Sequence, residues 1–198
     1  MIYNQLNYKL ILASSSPYRK ALLERLNLTF DCHSPAIDET RLDNETATDY
    51  VRRLALEKAQ AVSNRFPGAI VIGSDQCARI GERILGKPGC HENALRQLRE
   101  AQGKTVVFHT GICVTRADDG FLEIDEVPFE VDFRRLNDRQ LEHYLRVEEP
   151  YQCAGSFKSE GYGVALFSRM RGDDPTALIG LPLIRLASML ENAGIEVI

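Results

Sequence analysis

Asp75 follows the apolar run Ala69–Gly73, inside the polar stretch Ser74-Asp75-Gln76. The run reads as a buried strand that stops at Gly73, which puts the carboxylate just past its C-terminal end. In open α/β sheets that edge commonly holds ligands. A carboxylate there can bind Mg²⁺ or take a proton from water. The same position suits a turn aspartate that caps the next element. Lys58 falls on or beside the apolar face of a helical stretch, where a lysine normally snorkels to solvent. Pointed into a cleft instead, it needs an anion. Lys87 sits in the frame Gly86-Lys87-Pro88-Gly89 and reads either as a phosphate contact or as a solvated loop lysine. The run Gly81–Pro88 nearly matches the P-loop pattern G-x-x-x-x-G-K-[ST], but Pro88 replaces the hydroxyl and no strand-to-helix context surrounds it.

A third cluster is the turn Ser14–Ser16 with Arg19. A strand running into hydroxyls and a helix start leaves free N–H groups at a positive dipole end, which is a place to hold phosphate. Arg19 in the first helical turn opposes the dipole and so invites an anionic partner. An ordinary capped helix has the same local pattern. His33, His91, His109 and His143 share no metal-ligand spacing, and Cys77 reads as a small strand cysteine.

The elements that must position these groups follow from patterning. Leu10–Ala13 is a buried strand. Ser16 caps a helix opened by Pro17, with Leu22, Leu23 and Leu26 on one face. Thr29–His33 is a short strand, and Ser34–Asn44 a polar loop carrying Asp38 and Glu39. A long helix runs from about Thr46 to Arg65, with Thr46 and Asp49 in capping-box positions. Cys77–Leu85 reads as a hairpin turning near Gly81, and residues from about His91 to Ala101 as a helix. Lys104–Arg116 and Phe121–Arg134 are β runs around Asp118-Asp119-Gly120, a strong hairpin signal. Asn137 caps a helix to about Val147, with Gln140 in the capping-box position. Tyr151–Gly163 is irregular, Val164–Met170 a strand, and a last helix opens at Pro182 and ends at Asn192-Ala193-Gly194. Helices mixed with strands and hairpins imply an α/β fold on a mixed sheet, read as a single domain over 1–198.

Composition narrows the function classes. A chain of 198 residues can bury a real core, and a net charge of −4 argues against binding long nucleic acid. No apolar run approaches the roughly 18–20 residues of a membrane span, and the first ten residues lack signal-peptide features. Five scattered cysteines without a C-x-x-C pair fit a reducing, cytoplasmic compartment.

Taken in order, LILASSSPYRKALLERL, Ile37-Asp38-Glu39-Thr40, Tyr50-Val51-Arg52-Arg53-Leu54-Ala55 with Lys58-Ala59, Val71-Ile72-Gly73-Ser74-Asp75, Ile84-Leu85-Gly86-Lys87-Pro88 and Gly180-Leu181-Pro182-Leu183 resemble the Maf family of nucleoside triphosphate pyrophosphatases. The resemblance covers nearly the whole chain. It implies a twisted mixed sheet flanked by helices, in two lobes with a central cleft, like inosine triphosphate pyrophosphatases. It further implies hydrolysis of a nucleoside triphosphate to the monophosphate and pyrophosphate with a divalent cation, Mg²⁺ or Mn²⁺, by a protein that is often a homodimer. Carried over, Ser14, Ser16, Arg19, Lys58 and Lys87 hold phosphates, Asp75 is the catalytic acidic residue, as base or as metal ligand, and Glu39 partners it at the metal. Family members acting on dTTP and UTP typically carry arginine at Tyr18, threonine at Gln76 and glutamine at Glu160. The stretch Cys153–Gly161 resembles instead the branch that hydrolyses 7-methyl-GTP, although that branch usually has tryptophan at Tyr18. The physics of the positions agrees: an aromatic ring can stack on a methylated, cationic guanine, and an ionised Glu160 can accept from its N1–H and N2–H₂ edge. The competing expectations are a dTTP/UTP pyrophosphatase and a nucleotide-binding regulator of cell division without turnover.

Overall fold

The computed structural model describes residues 9–198. The reading of the chain's start as free of a leader therefore falls, up to residue 8, outside the described residues. Strands β1 (Leu10–Leu12), β2 (Asp31–Cys32), β3 (Ile70–Ile80), β4 (Arg83–Leu85), β5 (Thr105–Arg116), β6 (Phe121–Phe133) and β7 (Phe167–Arg171) form one sheet in the order β2-β1-β3-β5-β6-β7, with β4 also on β3. β1 pairs in parallel with β2 and β3, and the other pairings are antiparallel. The sheet is therefore mixed. Helices α1 (Pro17–Glu24), α2 (Ala47–Ser63), α3 (His91–Ala101), α4 (Asp138–Glu148) and α5 (Leu183–Asn192) flank it.

Local signals explain most of these boundaries. The Ser16 and Thr46 hydroxyls accept the N–H of the third helical residue, and Asn137 with Gln140 closes a full capping box. Gly81 and Gly120 take left-handed φ values of 55° and 71° at the two hairpin turns.

Three expectations need correction. β3 does not stop at Gly73 but continues to Ile80, because β5 pairs with it from Val71 to Arg79. Asp75 is thus within the strand, not past its end. The second strand shrinks to Asp31–Cys32, an exposed edge pair. The stretch expected as a strand from Val164 begins as a 3-10 turn over Tyr162–Leu166, and pairing with β6 starts only at Phe167. Gly163 lets that turn wind tightly; a Cβ there would lie 2.2 Å from the Lys158 carbonyl oxygen.

The long strands carry two cores on one face. Ile70 and Ile72 of β3 and Ile112 and Val114 of β5 pack with Leu22, Leu23, Leu186 and Met189 of α1 and α5. Farther along the same strands, Ala78, Ile80, Val106 and Phe108 pack with Leu98, Leu141 and Leu145 of α3 and α4. Between these lobes the face turns polar, with Ser74, Gln76 and Thr110. The opposite face is covered by α2, whose Ala55, Ala59 and Val62 meet Ile11, Ala13, Val71 and Cys113.

Candidate functional site

The cleft opens where one edge of β3 loses its partners. β1 covers Ile70–Ile72 on that edge and β4 covers Ala78–Ile80. The turn after β1 and the loop after β4 flank the gap, and Asp75 lies within it. A single cleft of about 750 Å³ results, and Ser14, Ser16, Tyr18, Arg19, Glu39, Lys58, Asp75, Gln76, Lys87 and Glu160 all line it.

Side-chain alternation aims Asp75 at α2. The helix comes unusually close, because the strand residues under it are Gly73 and Gly111. A Cβ at Gly73 would lie 2.1 Å from the Ala55 carbonyl oxygen, and one at Gly111 would lie 2.2 Å from that of Val51. This seat brings Lys58 Nζ to 2.5 Å from Asp75 Oδ1, both side chains being nearly buried. The same ammonium lies 2.7 Å from Glu39 Oε1. α2 also fixes the loop that carries Glu39: the Tyr50 hydroxyl donates to the Glu39 carbonyl (2.9 Å) and Arg53 to that of Thr40 (3.1 Å). Burial pushes the Glu39 carboxyl up, but Lys58, with Lys87 and Arg19 behind it, outweighs burial and holds it below its ordinary value.

At the same end, the Ser14 hydroxyl accepts the Ser16 N–H (3.1 Å) and the Ser16 hydroxyl accepts that of Arg19 (3.4 Å). Both oxygens act as acceptors within the turn, so their O–H protons remain to be donated. Arg19 Nε donates to the Gly180 carbonyl at 2.8 Å, which Ser74 Oγ also reaches at 2.9 Å. Desolvation lowers the Arg19 guanidinium from its ordinary value, while Asp75 and Glu39 pull it back up. Lys87 is exposed at the rim, on a loop pinned by Gln97 to the Gly86 carbonyl (3.1 Å) and by Asn93 to that of Pro88 (3.0 Å).

The other end is formed by α1's first turn and the segment 152–160. Tyr18 is 37% exposed, and burial is the main cause raising its hydroxyl, with Cys153, Glu160 and Glu148 adding to it and Lys158 opposing. Glu160 is exposed and accepts from Ser159 Oγ at 3.3 Å. Gln76 is committed to the fold: its Nε2 donates to the carbonyls of Ala177 (2.7 Å) and Leu178 (3.1 Å). Only its Oε1 is without a hydrogen-bond partner among the described residues.

Sequence reasoning missed Arg41, Tyr50 and Lys158 as lining residues. Tyr50 had a readable signal, lying eight positions before Lys58 on α2 and so close to the same helical face. Cys77 is a buried strand cysteine, and burial pushes its thiol up to about 12, away from the thiolate form. Among the described residues, no group of three or more His, Cys, Asp or Glu converges as a metal-binding cluster.

A two-lobed mixed sheet with cations and hydroxyls at one end of its cleft and an aromatic ring with a carboxylate at the other defines a nucleotide-binding class. Within that class the chain belongs to the Maf family: the model for Maf-like proteins matches residues 9–193. A protein of Nitrosococcus oceani named 7-methyl-GTP pyrophosphatase is 54% identical over 189 residues, covering 96% of this chain and 95% of its own. One of the same name from Methylobacillus flagellatus is 53% identical, covering 96% of this chain and 98% of its own. The structure of the Staphylococcus aureus Ham1 protein superposes with a TM-score of 0.54 at 13% identity, covering 93% of this chain and 99% of that one, and establishes the fold alone. The architecture is the inosine triphosphate pyrophosphatase-like one that the sequence led us to expect.

Proposed function

We propose that this protein hydrolyses 7-methyl-GTP, or a closely related modified nucleotide, to the monophosphate and pyrophosphate. The observation that carries the reading is that a Lys58–Asp75 pair and an aromatic–carboxylate pair, Tyr18 and Glu160, occupy one cleft. The names of the relatives at 53–54% identity support the same substrate.

In this reading the triphosphate lies against the Ser14–Ser16 turn, with Arg19, Lys58 and Lys87 neutralising it. Lys58 is held between Asp75 and Glu39 in the free protein. Phosphate oxygens compete for its protons, and Asp75 is released to accept a proton from the attacking water. Positioned cations near the α-phosphorus then stabilise the charge that develops on the departing pyrophosphate.

Glu39 and Asp75 fit a hard divalent cation such as Mg²⁺ or Mn²⁺, because both carboxylates already converge on one ammonium at 2.7 and 2.5 Å. Two protein carboxylates with phosphate oxygens and waters is the usual Mg²⁺ arrangement. When bound, such a cation would supply further charge neutralisation on the phosphates.

At the other end, Tyr18 stacks on the cationic base and Glu160 accepts from its N1–H and N2–H₂ edge, with the Gln76 carbonyl oxygen as a further acceptor. The reading also takes the chain as one domain over 1–198, since β3 and β5 run through both cores. It places the protein in the cytoplasm, which the free state of all five cysteines supports, and as a homodimer, which rests on the family resemblance. No helix among the described residues is long and apolar enough to cross a membrane.

The test is pyrophosphate release, with Mg²⁺ or Mn²⁺, across 7-methyl-GTP, GTP, dTTP, UTP, CTP and ITP. Preference for 7-methyl-GTP, lost in Asp75→Asn, is the expected result. Preference for dTTP or UTP would overturn the base-pocket assignment while leaving the chemistry intact. Binding without turnover would make the protein a nucleotide-sensing regulator.

A further inference from the structure

Glu148 is the last residue of α4, at the end of the helix where the dipole is negative and a carboxylate is disfavoured. Its side chain is nonetheless only 16% exposed, so other contacts must hold it. Those contacts clasp the turn that carries Glu160. Glu148 Oε2 accepts the Tyr162 N–H at 2.8 Å, and Oε1 lies 3.4 Å from Lys158 Nζ. Lys158 Nζ also donates to the Glu148 carbonyl at 2.7 Å, and the Tyr144 hydroxyl, one turn earlier on α4, accepts the Lys158 N–H at 3.1 Å. The carboxylate lies against Gly161, where a Cβ would stand 3.0 Å from either oxygen.

Lys158 lines the cleft and Glu148 does not. An ammonium at the base end, left uncompensated, would repel a cationic base and compete with it for Glu160. With Glu148 in place, Lys158 is cancelled and Glu160 supplies the net charge of that end. We propose that Glu148 is a positioning residue for base selectivity: it fixes the Glu160 turn from both sides and neutralises Lys158, so that the base end favours a cationic ring. This rests on the substrate reading above.

Two variants separate a structural tie from an electrostatic role. Glu148→Gln keeps an acceptor for the Tyr162 N–H, removes the charge and leaves Lys158 facing an amide N–H₂ in place of a carboxylate oxygen. Glu148→Gln combined with Lys158→Gln removes both charges. Steady-state kinetics on 7-methyl-GTP and GTP should show the KM for 7-methyl-GTP rising about tenfold in Glu148→Gln, as expected for one partly screened charge. The kcat should stay within about twofold, because the phosphate end is untouched, and the KM for GTP should rise less than that for 7-methyl-GTP, because GTP shares the N1–H and N2–H₂ edge but carries no ring charge. The double variant should recover the wild-type preference. Equal losses on both substrates, an unchanged preference in Glu148→Gln, or no recovery in the double variant would each overturn the proposal. A wild-type enzyme that does not prefer 7-methyl-GTP over GTP would instead bring down the substrate reading itself.

Discussion

The two ends of the cleft are built differently. The end proposed to hold phosphate draws its groups from α1, the Glu39 loop, α2, β3 and the Gly180 turn, and ties them with contacts that cross the fold. Lys58 meets Asp75 through two nearly buried side chains at 2.5 Å, and Ser74 and Arg19 share the Gly180 carbonyl. The end proposed to hold the base draws on one exposed helical turn and one loop, with Gln76 of β3 behind them, and its carboxylate, Glu160, faces solvent. Electrostatic interactions are strong in the first environment and screened in the second. In the proposed function the chemistry is therefore fixed by the core, whereas base choice rests on surface groups that can change without refolding the protein.

That contrast breaks most sharply at Asp75. In the proposed role, Asp75→Asn should lower kcat by about 10²–10⁴-fold, the usual contribution of a general base, for every nucleotide alike. Single-turnover kinetics on two nucleotides checks this; a loss confined to one base would contradict the division between the ends.

Gly111→Ala should come next. A methyl group 2.2 Å from the Val51 carbonyl oxygen forces α2 off the sheet and moves Lys58 away from Asp75. Overpacking of this kind costs about 3 kcal/mol, or about 9 °C in Tm for a chain of this size. A melt within 2 °C of wild type with full activity would show that the close seat of α2 is not what builds the phosphate end.

How far the site was legible follows from the same division. Ser14, Ser16 and Arg19 sit at a strand-to-helix junction, and hydroxyl and capping patterns mark such junctions in sequence. Lys58 stood out as a charge beside an apolar face. What the pattern could not show was long-range pairing. Gly73-Ser74 looks like a strand end, yet pairing with β5 carries β3 on to Ile80 and places Asp75 mid-strand. Gly73 reads as a strand end and Gly111 as one residue of the β run Lys104–Arg116, and their use as a seat for α2 appears only once the layers are stacked. The roles proposed for Tyr18 and Glu160 came from family resemblance, because an exposed tyrosine and a loop carboxylate carry no local signature. The Gln76 amide is bound to the 177–178 carbonyls, a contact spanning about a hundred residues that no spacing rule reaches.

Tyr18→Arg sharpens the contrast from the base side. It replaces a stacking ring by a cation facing a cationic base, and should lower kcat/KM for 7-methyl-GTP relative to UTP by at least about tenfold. Glu160→Gln should cost somewhat less, since the amide still offers one acceptor to the N1–H and N2–H₂ edge. In both variants the pyrophosphate inhibition constant should stay at its wild-type value. A change there would mean that the ends are coupled.

The smallest expected effect lies at Glu39, where the phosphate end meets solvent. Its side chain is half exposed, so the ion pair with Lys58 contributes less than about 1 kcal/mol of stability. The folded carboxyl titrates below its ordinary value of 4.5, chiefly because Lys58 outweighs the opposing cost of burial. A depressed carboxyl stabilises the fold above its ordinary value and loses that contribution as the pH falls through the lowered folded value. Glu39→Gln should therefore melt slightly below wild type at pH 7, and the two should converge as acidification passes the ordinary carboxyl value and then the lowered folded one. At neutral pH the variant should also bind the divalent cation more weakly, measured by calorimetry with nucleotide present, because one of the two carboxylates converging on Lys58 is gone. A melting difference that persisted at low pH would assign Glu39 a packing role in its loop, through the Tyr50 contact to its carbonyl, and not an electrostatic one.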